Sequence, residues 1–508
     1  MQRKQLTLVI VSLLVVVLSV SLAYFTAQII GKGKDVSVTS ANLQIVFTDS
    51  DGALTETDIE PGWSATKTFT IKNDTKTEYK YNIVIKDLVN TFVTNGYLQY
   101  KITTTNGGYN MTEFKDIPKS SAPKDTILAY SVSIPVGVTQ SYTIEFKYAN
   151  DESVDQSDDM GKKLSGTLFI TEGTEQPTLL SQILNDNPTR STRSNNNNGT
   201  NDFATTLTTT TTGTLFTSTE SITGITDTPK EVYYYAGNTT NNWVKFANIY
   251  WRIIRTNHDS SIRLLYVGTS HDTTTGNIGT SLFNQNYDSP KYVGYKYGED
   301  TSLDTIRNNT TDSTIKTTID TWYQNNLTNY TKYLSTSAVY CNDRSEGTGQ
   351  TYSASADFNF APYYRMDYDT DGAKANPSYN CTNIKDAFSV DNTSAKLDYP
   401  VSLMTADEIA FAGGVAFQNM STPYAWFISN SAGTQVSTDW WSLSPIYWNG
   451  SYAYVWYWDS GYAYLSGSYV SYTGAVRPAI SLKSCIKYSI GNGTYETPYE
   501  IVETSSGC

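Results

Sequence analysis

Hydrophobic positions divide the chain into four stretches of different period. Arg3 and Lys4 precede an apolar run from Leu6 to Phe25 that only Thr7, Ser12, Ser19 and Ser21 interrupt. About 20 residues wound as a helix span roughly 30 Å, the thickness of a bilayer core. Residues 1–30 are therefore expected to form a signal peptide or an uncleaved anchor helix, and Ser21-Leu22-Ala23 offers a small-x-small cleavage site. In both cases the basic flank stays inside and the remainder is exported. From residue 31 to 172 the pattern alternates at period two. Ala65–Lys72, Tyr79–Lys86, Leu98–Thr104, Ser141–Tyr148 and Lys163–Thr171 read as strands separated by turns such as Pro61-Gly62 and Asn106-Gly107-Gly108. That is the pattern of an all-β, antiparallel sandwich.

Residues 173–229 carry few large apolar side chains. With runs such as Asn195–Asn198 and the threonine tract around Thr205–Thr212, they are expected to be a polar linker. From 230 to 508 the pattern changes again. Val232–Tyr235, Trp243–Phe246, Tyr250–Arg255 and Ile262–Val267 read as strands, whereas Ile315, Ile319, Trp322, Tyr323 and Leu327 fall at helical spacing. Thr405-Ala406-Asp407-Glu408 is a capping box that opens a second helix, ended by Gly413-Gly414. Helices among short strands predict an α+β domain, so the fold class is multidomain.

Charge and composition narrow the function. The net charge of −13 offers no basic face for phosphates, which argues against a nucleic-acid partner. Tyrosines number 40 against 17 phenylalanines. That excess points to surfaces, because each buried phenol needs a hydrogen-bond partner. Four cysteines, Cys341, Cys381, Cys485 and Cys508, suit disulfides in an exported protein. Three pairings are open, and pairing within each local segment, Cys341 with Cys381 and Cys485 with Cys508, is the preferred one.

Several phrases resemble known families. Leu22–Thr26, Val38–Leu43, Glu60-Pro61-Gly62 and Lys67–Lys72 are similar to camelysin- and TasA-like surface and biofilm-matrix proteins. The resemblance implies a stalk or assembly module. Val244–Arg255, Ile262–Tyr266, Cys341–Ser345, Tyr399–Gly414 and Gly474–Lys483 resemble a lectin-like domain of bacterial surface proteins. Trp440-Trp441-Ser442-Leu443-Ser444-Pro445, the aromatic tract after it and Gly474-Ala475-Val476-Arg477-Pro478 resemble the variable proteins of diversity-generating retroelements. Those proteins have a C-type-lectin-like, formylglycine-generating-enzyme-like fold, and adenine-directed mutagenesis randomises a C-terminal set of codons. The resemblance implies a display domain over 230–508 with a variable region at about 440–478. It also implies an adhesin or receptor at the extracellular face of a bacterial membrane. Its partner would be a protein or glycan on a host, phage or neighbouring cell, and the alternative is a structural matrix or filament subunit.

The residues of 440–472 favour a binding surface on their own account. Tyr, Trp, Ser and Gly give large contact areas with few rotors and adaptable polar groups. Tyr452, Tyr454 and Trp456 alternate with Ala453 and Val455, and Tyr462 and Tyr464 alternate with Ala463 and Leu465. The small aliphatic positions, with Val470, are expected inside. The expected ligand-binding set is Tyr447, Asn449, Ser451, Tyr452, Tyr454, Tyr457, Asp459, Tyr462, Tyr464, Ser468, Tyr469 and Tyr472, with the tryptophans divided between the two sides. Adenine randomisation of an asparagine codon yields Tyr, Ser, Asp, Gly or Ala but never Trp, so tryptophans are expected to be fixed scaffold.

One further motif carries cofactor chemistry. Asp367, Asp369 and Asp371, followed by Gly372, form the first half of a calcium loop, but Ser378 stands where the bidentate glutamate belongs. Calcium is the one cofactor the sequence leaves open. With two histidines, His258 and His271, and no nucleophile motif, the chain is expected not to be an enzyme.

Overall fold

The computed structural model describes residues 36–38, 43–47, 53–56, 59–196, 200–366 and 374–508. The expected signal or anchor helix at 1–30 lies outside the described residues, as do Asp367, Asp369 and Asp371. Among the described residues no helix is long and apolar enough to cross a membrane. The chain divides into two compact units, Met1–Gln176 and Pro177–Cys508.

The described residues of the first unit form ten strands. They are β1 (Val36–Val38), β2 (Leu43–Phe47), β3 (Ala53–Glu56), β4 (Ser64–Asn73) and β5 (Tyr79–Asn90). Then come β6 (Leu98–Thr104), β7 (Lys115–Asp116), β8 (Ser120–Ile134), β9 (Thr139–Tyr148) and β10 (Leu164–Glu172). One sheet runs β1-β2-β4-β9-β6-β7 and the other β3-β10-β5-β8. The alternation seen in the sequence is the reason: in β9 every second residue, Gln140, Tyr142, Ile144, Phe146 and Tyr148, is buried. Tyr142, Ile144, Phe146 and Tyr148 join Ile71, Ile83, Ile102, Leu168 and Ile170 in a sandwich-like core. The polar groups inside are satisfied. Tyr81 donates to Gln140 at 2.6 Å, and the Asn73 amide holds the carbonyls of Thr77 and Ile134.

The second unit begins earlier than composition suggests. Residues 177–229, read from the sequence as a linker, belong to it. They supply helix α1 (Leu179–Asp186) and strands β11 (Thr189–Thr192), β12 (Thr214–Ile222) and β13 (Thr226–Tyr234), the last completed by residues beyond the expected boundary. The few apolar residues of this stretch are well spaced. Leu179 and Ile183 share one face of α1 and, with Leu215, enter the main core, while Phe203 and Phe216 pack with Tyr234, Tyr379 and Phe411. Threonine is also a good strand former, which an average over polar composition hides.

Strands β14 (Trp243–Phe246), β15 (Ile249–Thr256) and β16 (Ile262–Gly268) follow, then β17 (Thr280–Leu282) and helix α2 (Thr314–Asn326). Next come β18 (Phe358–Asn359), β19 (Val401–Leu403) and helix α3 (Ala406–Ala412). The C-terminal part adds β20 (Trp440–Trp448), β21 (Ala453–Asp459), β22 (Tyr464–Tyr469), β23 (Thr473–Ala475) and β24 (Pro478–Leu482). The larger sheet is ordered β11-β12-β13-β15-β16-β24-β19, with β14 on β15. The smaller is ordered β17-β23-β20-β21-β22, with β18 on β20. Thr405 and Glu408 form the expected capping box, and Gly413 closes α3 at a φ of 119°, a left-handed conformation suited to glycine. Cys341–Cys381 and Cys485–Cys508 are both disulfide-bonded, the pairing within each segment. Closing loops of 40 and 23 residues, they contribute on the order of 3–4 kcal/mol each by constraining the unfolded chain.

Candidate ligand-binding surface

The tyrosine tract folds as a β-hairpin pair. β21 lies between β20 and β22, with Tyr447 opposite Tyr454 and Tyr454 opposite Tyr469. Opposed residues on paired strands share a side, so rings meet across the strands. The Tyr447 and Tyr454 centroids are 4.5 Å apart, those of Tyr454 and Tyr469 6.3 Å, and those of Tyr452 and Tyr469 6.0 Å. Tyr469 continues to Tyr472 at 6.2 Å, and Tyr472 to Tyr457 at 6.2 Å. Six of the nominated tyrosines therefore form one patch. Tyr462 and Tyr464 stack on each other at 5.3 Å beside Phe417 and form a second, smaller group.

Exposure separates display from packing. Tyr452 and Tyr469 are each 41% exposed and Tyr462 61%, whereas Ala453, Val455, Leu465 and Val470 are wholly buried and Ala463 nearly so. The small residues sit inside, where the alternation places them. Among the described residues of the second unit the exposed large apolar and aromatic side chains are Ile225 and five tyrosines, Tyr287, Tyr364, Tyr452, Tyr462 and Tyr469. Three of the five come from the tract, and Tyr287 stacks on Tyr452 at 5.0 Å. Such a patch marks an interaction site more often than stray core.

Three expectations need correction. Trp440, Trp441, Trp448, Trp456 and Trp458 are all buried, not divided between two sides. Trp456 shares a side of β21 with Tyr454, but both sides are covered there: Val455 and Trp456 are consecutive and both fully buried. Trp458 packs edge-on to Phe427 at 4.9 Å. Alternation stops reporting exposure where a sheet is sandwiched. Ser468, opposite Val455, is buried as well. Asn449 is exposed but occupied by the turn, since its side-chain oxygen accepts the backbone N–H groups of Ser451 and Tyr452 at 3.0 and 2.7 Å; Ser451 is exposed, with its N–H engaged in that turn.

Carboxylates edge the patch. Asp459 accepts the Tyr457 hydroxyl at 3.0 Å and the Tyr462 N–H at 3.0 Å. Asp439, which the sequence did not single out, binds Ser460 and receives the Tyr472 hydroxyl at 3.5 Å. Burial first, and Asp459 second, push the Tyr457 phenol up; burial also raises Tyr454, and burial with Asp439 raises Tyr472. These hydroxyls therefore stay protonated donors at neutral pH. Tyr287, Tyr363 and Tyr364 also reach the patch, Tyr363 lying 6.2 Å from Tyr447. Tyr287 stands in a loop and Tyr363 and Tyr364 on the short helix Ala361–Arg365, all distant in sequence, so no local pattern announced them.

Beneath the surface lies a buried ionic network. Arg255 donates to Glu220 and to Glu408, both at 2.8 Å, and Arg263 donates to Glu408 at 2.6 Å. Arg365 pairs with Asp343 and Asp407 at 2.6 and 2.7 Å. Asp407 and Glu408 are thus consumed as structural anions rather than as an acid/base pair. His258 lies in a turn and gives its backbone N–H to Glu220. Burial raises the Glu220 carboxyl, but Arg255 outweighs it and the group is held at about 2. The unfolded chain titrates this group near 4.5 and so binds more protons between the two values. Its stabilisation is complete above about pH 4.5 and is lost as pH falls toward 2. Melting temperature followed from pH 6 to 2.5 is expected to fall more steeply for the natural protein than for Glu220→Gln; parallel curves would refute this role.

Among the described residues one group of three carboxylates is close enough to share a cation, Asp312, Asp320 and Asp398. The fully buried Lys316 ammonium already sits among them at 3.1, 2.5 and 2.7 Å. This is a lysine socket. No protein-family model matches the chain, and no curated protein matches it.

Proposed function

We propose that residues 177–508 form a C-type-lectin-like display domain and that the tyrosine patch of β20–β22 is its diversified, non-covalent binding surface. The chain would be an exported bacterial surface protein, an adhesin or receptor carried on a camelysin/TasA-like sandwich. The observation that carries the reading is the division of labour in one hairpin pair. Tyr452, Tyr462 and Tyr469 are exposed, while the alternating Ala453, Val455, Leu465 and Val470 and all five tryptophans of the tract are buried. Exposed positions are those an asparagine codon reaches when its adenines are randomised, and buried ones include the tryptophans that it cannot reach. The patch suits capture: it offers rings, hydroxyls and two hydrogen-bonded carboxylates.

The DNA flanking the gene tests this reading. A near-copy of the codons for residues 440–478, differing only at adenines and next to a reverse transcriptase, is the expected finding. The absence of such a copy, or differences at many other bases, would leave a matrix or filament subunit with an undiversified lectin-like domain as the better account.

A further inference from the structure

Beside the tyrosine patch runs an open groove of about 580 Å³, a size suited to a small ligand. One wall is α2, which presents Thr314, Thr317, Thr318 and Thr321 along a single face. The other wall is the segment Asn284–Asn286, and Tyr297 closes one side. The next residue, Tyr287, stacks on Tyr452, so this segment divides groove from patch.

The lining has no net unpaired charge. Its only ionic group, Asp312, is paired with Lys296 and with Lys316, each at 3.1 Å, Lys316 being shared with Asp320 and Asp398. What remains is a set of neutral donors and acceptors. The hydroxyls of Thr317, Thr318 and Thr321 each donate to the carbonyl four residues earlier, at 3.2, 3.0 and 2.8 Å. The oxygens of the exposed Thr317 and Thr321 keep lone pairs as acceptors, because a hydroxyl has one proton and two lone pairs, while Thr318 Oγ1 also meets the Ser281 hydroxyl at 3.1 Å. Donors come from the carboxamides of Asn284, Gln285 and Asn286. Asn284 is 2% exposed, yet its Nδ2 makes no hydrogen bond of normal geometry, although the Tyr297 hydroxyl lies close enough to interact with it. A buried amide donor left unsatisfied costs about 1–3 kcal/mol, so it favours a ligand that accepts from it.

We propose that this groove is a binding site for an uncharged saccharide. Vicinal hydroxyls supply both donors and acceptors at close spacing, matching a wall of acceptor threonines facing a wall of amide donors. The Tyr297 ring gives a surface for the apolar face of a pyranose. An anion would find no free cation there, and a cation would find its carboxylate already paired.

The test is binding of the full-length protein in detergent to immobilised oligomers of N-acetylglucosamine, galactose and mannose, with sialylated and sulfated glycans and unrelated peptides alongside. Binding to at least one neutral oligomer is expected. The double substitution Thr317→Arg/Thr321→Arg, at exposed helix positions, should weaken it by about tenfold or more while the melting temperature is retained. Asn284→Leu should weaken it similarly. Tyr452→Ser/Tyr469→Ser should leave it within about twofold, which separates this groove from the tyrosine patch. No neutral binding at millimolar concentration overturns the proposal. So does binding that the groove substitutions leave unchanged, or a preference for charged glycans or peptides.

Discussion

Glu408→Ala is expected to destabilise the C-terminal unit by about 3–5 kcal/mol, the cost of removing one partner from a buried ion pair. Glu408 does three things at once. Its Oε2 accepts the Thr405 N–H at 3.0 Å, completing the cap of α3, and its Oε1 receives both Arg255 and Arg263. All three charged groups are almost fully buried. Alanine would leave Arg255 with Glu220, the Thr256 carbonyl and the Tyr379 ring, and Arg263 with the Val339 carbonyl and the Tyr340 ring. Glu408→Gln keeps a capping oxygen and removes the charge, so it should fall between alanine and the natural residue. Thermal unfolding of the full chain, following the transition of the C-terminal unit, measures this. A shift of roughly 6–10 °C is expected for alanine. A change near zero would mean that the cation pair is solvated through some route the packing does not show.

The second large effect contrasts neighbours in β21. Trp456→Ala removes a fully buried indole and should cost about 3–5 kcal/mol, and Val455→Asp should prevent folding by burying an unpaired carboxylate. Tyr452→Ser, Tyr462→Ser and Tyr469→Ser remove exposed rings and should each change stability by less than about 0.5 kcal/mol. Protease resistance and melting temperature of the five variants decide it. If the three serine variants unfold as readily as Trp456→Ala, the exposed tyrosines are holding the fold rather than displaying a surface.

How much of this was written in the sequence depended on whether the signal was local. The capping box at Thr405–Glu408, the small residues Ala453, Val455 and Val470, and the strands of the first unit were legible because each rests on spacing within one element. The disulfides were legible because each closes a single segment. The fold of residues 177–229 was not, since Leu179, Ile183, Leu215 and Phe216 are few among threonines and asparagines and acquire meaning only against a core elsewhere. Glu220 lies in that stretch and is the partner of an arginine 35 residues away. In the patch, alternation marked the outer tyrosines but misplaced Trp456, because burial there is set by what covers the second side of the sheet. Tyr287 and Asp439 joined the site through tertiary contacts that no sequence window contains. Pro445 falls where β20 loses register with β21, a bulge at which a missing N–H costs no ladder bond.

The central claim is that the patch can change its ligand without changing its fold. The most direct measurement is a display library of the full chain randomised at Tyr452, Tyr454, Tyr462, Tyr464, Tyr469 and Tyr472, sorted for protease resistance and then for capture of a panel of immobilised proteins. Most clones are expected to stay protease-resistant, and different clones to capture different proteins. A library that loses protease resistance as completely as one randomised at Ala453, Val455, Trp456, Trp458, Leu465 and Val470, or that folds but captures nothing, would contradict it.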